Sequence, residues 1–427
     1  MLIQRFKRPG FLRDVFAVSS GSAVSQVLAI AASPILMRIY SPAELGIQAI
    51  CISILFVGVI GSMRYNQAIP LPEKLDESIR IAFLALFVLA VMTILVGFCL
   101  HLFIKDIAAF TKAPKIIEFI GLLIVIFLFI GTSEILLSIT LRLKKFRRLG
   151  QAQIAQTLVQ LGYQVIAGLN VPTAQSLVEG MLFGNLAAII VYTLGIYASF
   201  KLMPRINLSE LRRVAVAYSK FPLLASPSSL INGASIQATP LLLAAFYSPE
   251  VVGLLALAQR VIGLPVTTIG YGVSKVFFQR SAEVQNQTPA ELLALYTKAA
   301  RALLVISILP ITVLALTGPQ VFSIIFGERW SDAGLYASLL APMFISQFVV
   351  SPLSTIMAVI SAQKQQLMWD VTRLVAIGTT VFVAGQLNLD AVYCIAMYGA
   401  CMTLCYIWLY LLTRKQILNK NKAHLTL

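Results

Sequence analysis

The chain has 427 residues, of which 59% are hydrophobic and only 12% charged, with a mean hydropathy of +0.87. A soluble domain carries roughly 25% charged residues, so this composition excludes a soluble globular protein and leaves a chain solvated mainly by lipid. The net charge of +16 is spread over short connections and not gathered on one domain, which argues against a nucleic-acid partner.

Twelve apolar stretches follow one another: 14–38, 45–64, 79–102, 116–141, 149–170, 176–200, 221–246, 251–274, 299–318, 334–360, 369–387 and 391–413. Intervals without charge, such as Asp14 to Arg38 and Arg80 to Lys105, match the roughly 17–25 residues a helix needs to cross the hydrocarbon layer. Backbone amides in lipid must bond within their own helix or in a closed barrel. The alternating strands of about 10 residues that a barrel needs are absent. The pattern predicts an all-α polytopic membrane protein.

The first stretch follows Arg5, Lys7 and Arg8 but is too long for a cleaved signal, so it reads as a retained span. It carries Ser19, Ser22, Ser25 and Gln26 on one helical face, then Pro34 and Arg38. Tyr40-Ser41-Pro42, with Glu44 and Gly46 beyond, leads into the second stretch, which ends at Arg64. Arg38 and Arg64 each either snorkel to an interface or reach inward. Glu134 is the most interior carboxylate. It could pair with a basic residue, line a cavity or carry a coupling H+ or Na+. The basic run Arg142–Arg148 holds its loop in the cytoplasm and suits anionic head groups.

The seventh stretch places Ser228, Ser229, Asn232, Ser235 and Gln237 where the first has its polar face, and Pro222, Pro227 and Pro240 predict a kink. These polar faces serve helix packing or the lining of a cavity for a sugar-bearing substrate. Tyr247-Ser248-Pro249, with Glu250 and Gly253, then repeats the earlier connection at an offset of 207 residues. The offset predicts a duplicated six-span unit with halves 1–213 and 214–427, a parallel repeat common among transporters. Arg260 lies about ten residues into the eighth stretch. Centring an arginine in a span costs at least roughly 2.5–3.5 kcal/mol, so it faces a wet cavity, pairs with a carboxylate or snorkels. A guanidinium is apt for phosphate because its planar fork donates bidentately. Residues 275–298 form the longest predicted extramembrane segment. Asp370 and Arg373 are spaced for a local ion pair. Cys394, Cys401 and Cys405 share one helical face, and with only His101 and His424 in the chain no metal site is expected.

Of the 33 Lys and Arg residues, 27 fall on the side of the predicted fold that holds both termini and 5 on the other, with Arg260 inside a span. That bias places both termini in the cytoplasm. No Walker motif, catalytic triad or large external loop is present, so no catalytic residues are assigned.

The order of short motifs carries a resemblance. Leu36-Met37-Arg38-Ile39-Tyr40-Ser41-Pro42, Arg64-Tyr65, Ala68-Ile69-Pro70-Leu71-Pro72, Phe221-Pro222, Pro227-Ser228-Ser229-Leu230-Ile231-Asn232 and Ala258-Gln259-Arg260 are similar to the bacterial polysaccharide flippases, as are Phe326-Gly327-Glu328-Arg329-Trp330 and Ser351-Pro352-Leu353-Ser354. The chain resembles the Wzx-type O-antigen and capsule flippases of the multidrug/oligosaccharidyl-lipid/polysaccharide exporter superfamily. The resemblance implies two six-helix bundles in a V around a cationic cavity. It also implies an undecaprenyl-diphosphate-linked oligosaccharide as substrate, with a polymerase and a chain-length regulator as partners in assembly and no cofactor beyond a coupling H+ or Na+. In that reading Arg260, Arg38 and Arg64 meet the diphosphate, and Ser22, Gln26, Asn232, Gln237 and Gln259 line the cavity. The competing classes are a multidrug exporter of the same superfamily, against which a central arginine argues, and a membrane polymerase or scaffold.

Overall fold

The computed structural model describes residues 9–200, 207–284, 289–360 and 362–425. Among them every regular element is helical. The first six are α1 (Pro9–Ile39), α2 (Pro42–Leu55), α3 (Leu75–Phe110), α4 (Ile120–Arg142), α5 (Phe146–Asn170) and α6 (Ala174–Phe200). A short α7 (Leu208–Ala217) precedes α8 (Ser226–Phe246), α9 (Pro249–Val284) and α10 (Pro289–Phe326). The chain closes with α11 (Ser331–Leu339), α12 (Ala341–Val350), the single turn α13 (Ile356–Val359), α14 (Gln363–Gln386) and α15 (Ala391–Leu425).

Most of the twelve apolar stretches fall on a single helix, whereas 45–64 and 334–360 are broken into several pieces, the latter with a bend of 53° between Glu328–Leu339 and Ala341–Thr355, and 221–246 is bent. By length and apolarity, 7 of the described helices can cross a membrane, or up to 9 if each of two bent pairs is one span. Their outward faces agree with that reading. α3 exposes Phe87, Val91, Ile94 and Phe98, and α10 exposes Val305, Leu309, Val313 and Leu316, both at helical spacing. Such unbroken apolar stripes belong against lipid. The chain is a multi-pass membrane protein. α5 is 25 residues, about 37 Å at 1.5 Å per residue, yet it is not among those 7 helices. Gln151, Gln153, Gln156, Gln160 and Gln164 lower its hydropathy, and most of them face inward.

The chain divides into two compact units, Met1–Gln237 and Ala238–Leu427. In the first, α5 packs on α1 and α6, and α4 packs on α6 and α3. Small residues set the close approaches: a Cβ on Gly21 of α1 would strike the backbone of Gly150 in α5. Tyr40 is fully buried and donates to the Gln164 carbonyl at 2.7 Å, while Gln48 and Gln164 both donate to the Leu177 carbonyl at 3.2 and 2.8 Å. In the second unit Trp330 is fully buried, Tyr296 stacks on Tyr410 at 5.2 Å, and Trp369 Nε1 donates to the Cys405 carbonyl at 2.8 Å. Arg373 makes the expected ion pair with Asp370 at 3.4 Å and also lies 4.6 Å from the Trp369 ring centroid.

The repeated connection has the same geometry in both units. Ser41 Oγ accepts from Glu44 N at 3.3 Å, and Ser248 Oγ accepts from Val251 N at 3.4 Å. Pro42 and Pro249 open α2 and α9, where a missing amide leaves nothing unsatisfied. Glu44 does more than the motif suggests. It accepts from the Ala174 amide at the start of α6 and pairs with Lys115 at 3.1 Å.

Three local expectations change. The stretch 45–64 is not one helix: α2 ends at Leu55, a 3-10 turn follows over Phe56–Ile60, and Met63 and Arg64 adopt positive φ of 46° and 60°. Gly58 and Gly61 weaken the helix there, and Gly61 lets Leu89 and Phe127 approach more closely than a Cβ would allow. The predicted loop 275–298 is largely helix, because α9 continues to Val284 and α10 begins at Pro289. The expected kink lies between Phe221–Ala234 and Ile236–Phe246, with an angle of 43°. Pro240 accounts for its position, because a proline clashes with the carbonyl four residues back, here Ile236. The basic run also has packing work. Arg142 donates to the Glu73 carbonyl at 2.7 Å and to Ser78 at 3.1 Å, and Lys145 donates to the Gly195 carbonyl at 2.7 Å.

Candidate functional site

A polar enclosure in the first unit is built from three helix faces. α4 supplies Ile130, Ser133, Glu134 and Leu137, at i, i+3, i+4 and i+7. α5 supplies Gln153, Gln156 and Gln160, again three and four residues apart. α6 supplies Met181, Asn185 and Tyr192. Residues at those spacings lie on one side of a helix, so the three faces converge on a cavity of about 350 Å3. Glycine brings two of the walls together, since a Cβ on Gly184 would press on the Gln156 carbonyl and the Gln160 side chain. An apolar cluster of Leu136, Leu149, Ala152, Ala188 and Ile196 packs around Tyr192 and fixes that wall.

Glu134 is exposed to this space although it lies mid-helix among packed neighbours. Arg64 and Glu134 act on one another electrostatically, and Arg64 Nε also donates to Ser229 Oγ of α8 at 2.9 Å. The left-handed turn at Arg64 therefore presents its guanidinium inside the unit. Gln156 Nε2 donates to Asn185 Oδ1 at 3.4 Å, and Asn185 Nδ2 to the Met181 carbonyl at 2.8 Å. Ser133 Oγ and Gln153 Oε1 are buried and have no hydrogen-bond partner among the described residues. A buried polar atom left unsatisfied costs about 1–3 kcal/mol, so a wall with two of them is suited to a polar occupant.

The sequence-predicted residues are distributed over both units. Gln237 Nε2 donates to the carbonyl of Ile52, a lining residue, at 3.4 Å, which puts Gln237 beside the cavity. Arg38 is exposed in the last turn of α1, Ser22 and Gln26 are half-buried on α1, and Asn232 is exposed on α8. In the second unit Arg260 and Gln259 are half-buried on α9, beside the buried Leu254, Leu255, Leu257 and Ala258. The structure thus joins Arg64, Glu134 and Gln237 to one region of the first unit. Hydropathy singles out rare charges and passes over Ser133, Gln153, Gln156, Asn185 and Tyr192. The signal that finds them is the three- and four-residue spacing of glutamines along α5.

Residues 35–334 match the family described as polysaccharide biosynthesis protein. The chain belongs to that family. The matched stretch holds Arg38, Arg64, Glu134 and Arg260, together with all three cavity helices. A curated relative, the succinoglycan biosynthesis transport protein ExoT of Rhizobium meliloti (strain 1021), is 25% identical over 337 residues. That alignment covers 75% of this chain, which spans 63% of the relative's length. Among solved structures, the lipid II flippase MurJ in an inward closed conformation aligns with a TM-score of 0.71 at 13% identity, over 96% of this chain and 90% of its own. An inward-facing multidrug resistance MATE family transporter of the MOP superfamily aligns with a TM-score of 0.68 at 14% identity, over 93% of this chain and 96% of its own. At such identities the likeness is one of fold: this chain shares the helical architecture of those MATE and MurJ structures.

Proposed function

We propose that the protein is a flippase that carries an undecaprenyl-diphosphate-linked oligosaccharide from the cytoplasmic to the outer face of the bacterial inner membrane, by alternating access. Twelve spans in two six-span halves, 1–213 and 214–427, with both termini in the cytoplasm, complete the reading. The product feeds O-antigen, capsule or other exopolysaccharide assembly, alongside a polymerase and a chain-length regulator. Family membership supports polysaccharide assembly, and the fold is one used to move amphiphiles across membranes, including the lipid II flippase MurJ.

The observation that carries this substrate is Arg260, a cation set among the buried apolar residues of α9. A charge held in lipid marks a ligand path, and a guanidinium meets a diphosphate bidentately. Arg64 and Arg38 are the further cations for that anion. An exporter of organic cations would gain nothing from such arginines, which favours the anionic lipid over the multidrug alternative. Arg260→Ala should abolish export at normal protein abundance, and Arg260→Lys should restore only part of it, because an ammonium is a point charge and not a fork. Full export by Arg260→Ala, measured as surface polysaccharide per unit of inserted protein, would remove Arg260 from the mechanism.

A further inference from the structure

We infer that the cavity between α4, α5 and α6 is a subsite for a sugar residue of the transported glycan, an inference that rests on the flippase reading above. Three observations converge on a carbohydrate. The first is size. At about 350 Å3 the cavity has roughly ten times the ~30 Å3 share of one water, so it suits an organic group and exceeds the needs of a bare ion.

The second is the mixture of donors and acceptors. Gln153, Gln156 and Asn185 each carry an amide that both donates and accepts, Ser133 does the same through its hydroxyl, and the Glu134 carboxylate accepts. A sugar hydroxyl is likewise a donor and an acceptor. A metal cation would use oxygen acceptors alone, and no cluster of three His, Cys, Asp or Glu side chains occurs among the described residues.

The third is a pair of buried acceptors without a hydrogen-bond partner among the described residues, Ser133 Oγ and Gln153 Oε1, which belong to cavity-lining residues of α4 and α5 and come within reach of a guest by side-chain rotation. The apolar lining and the Tyr192 ring suit the C–H faces of a pyranose. Glu134 and Gln153 are thereby assigned to glycan recognition, while the arginines keep the diphosphate.

The test uses the purified full chain in nanodiscs and two probes: undecaprenyl diphosphate without sugar, and the same lipid carrying the repeat unit extracted from a flippase-deleted strain. The double variant Ser133→Ala/Gln153→Leu removes two groups that have no partner among the described residues, so it should fold with an unchanged melting temperature. Wild type is expected to bind the glycosylated lipid at least about tenfold more tightly than the bare one. The variant should lose most of that preference while binding the bare lipid as before. A preference absent in wild type, or retained in the variant, would overturn the subsite and leave the flippase reading intact. Retained preference with loss of a Na+ or pH dependence would overturn it in favour of a cation site. Failure of wild type to bind either lipid would overturn the flippase reading itself.

Discussion

Arg64 shows how a single residue departs from what hydropathy can say about it. As a charge at the end of an apolar stretch it was open to snorkelling or to reaching inward. Its φ of 60°, following Met63 at 46°, turns it into the unit, where it meets Ser229 at 2.9 Å and the field of Glu134. The positive φ was not legible because no glycine or asparagine marks it. Glycine can adopt that conformation freely and a β-branched residue resists it. Arg64→Gly should therefore keep the thermal stability of the wild type more nearly than Arg64→Val, with a difference of about 1–3 kcal/mol in unfolding. Equal melting temperatures for the two variants would show that the turn is not maintained. Both should lose export if the guanidinium is needed for the diphosphate. Glu134 was legible as the deepest carboxylate, whereas its companions on α5 and α6 are neutral amides that no charge count reveals.

At the scale of elements, the caps and the close helix contacts carry the checkable claims. Ser41→Ala and Ser248→Ala each remove an N-cap acceptor and should each cost about 1 kcal/mol of stability. Similar losses at the two sites, read from detergent unfolding curves, are the expected signature of a duplicated connection. A large loss at one site and none at the other would count against that equivalence. In the second unit Gly318 and Gly334 meet backbone to backbone across α10 and α11, and a Cβ on either would strike the other's carbonyl. Gly334→Leu should force those helices apart and cost about 1–3 kcal/mol or prevent stable insertion, measured as the yield of monodisperse protein. Serine and proline at these starts were readable as helix-opening chemistry. The break after Leu55 was not, because it depends on Leu89 and Phe127 pressing against Gly61 from other helices. Pro240 announced a bend, and the structure places it between Ala234 and Ile236, about one turn before the proline.

For the whole molecule, lipid as solvent made the architecture the most legible property. Apolar runs of span length favour helices, and most predicted stretches fall on one helix, with 45–64 and 334–360 broken. The ends of α9 and α10 were hidden because their extensions beyond the apolar run are amphipathic and charged, which helices outside the hydrocarbon tolerate. The polar α5 was legible as a helix but not as the wall of a site, since its glutamines act only through the faces that α4 and α6 turn toward them. The direction of transport remains the central claim. The measurement that tests it most directly is the membrane face on which the undecaprenyl-linked repeat unit sits, scored with a membrane-impermeant sugar label in a strain lacking this protein. The account predicts accumulation on the cytoplasmic face in the deletion strain, relieved by wild-type protein and not by Arg260→Ala. Repeat units already on the outer face of the deletion strain, left unpolymerised, would contradict it and move the function to polymerisation or scaffolding.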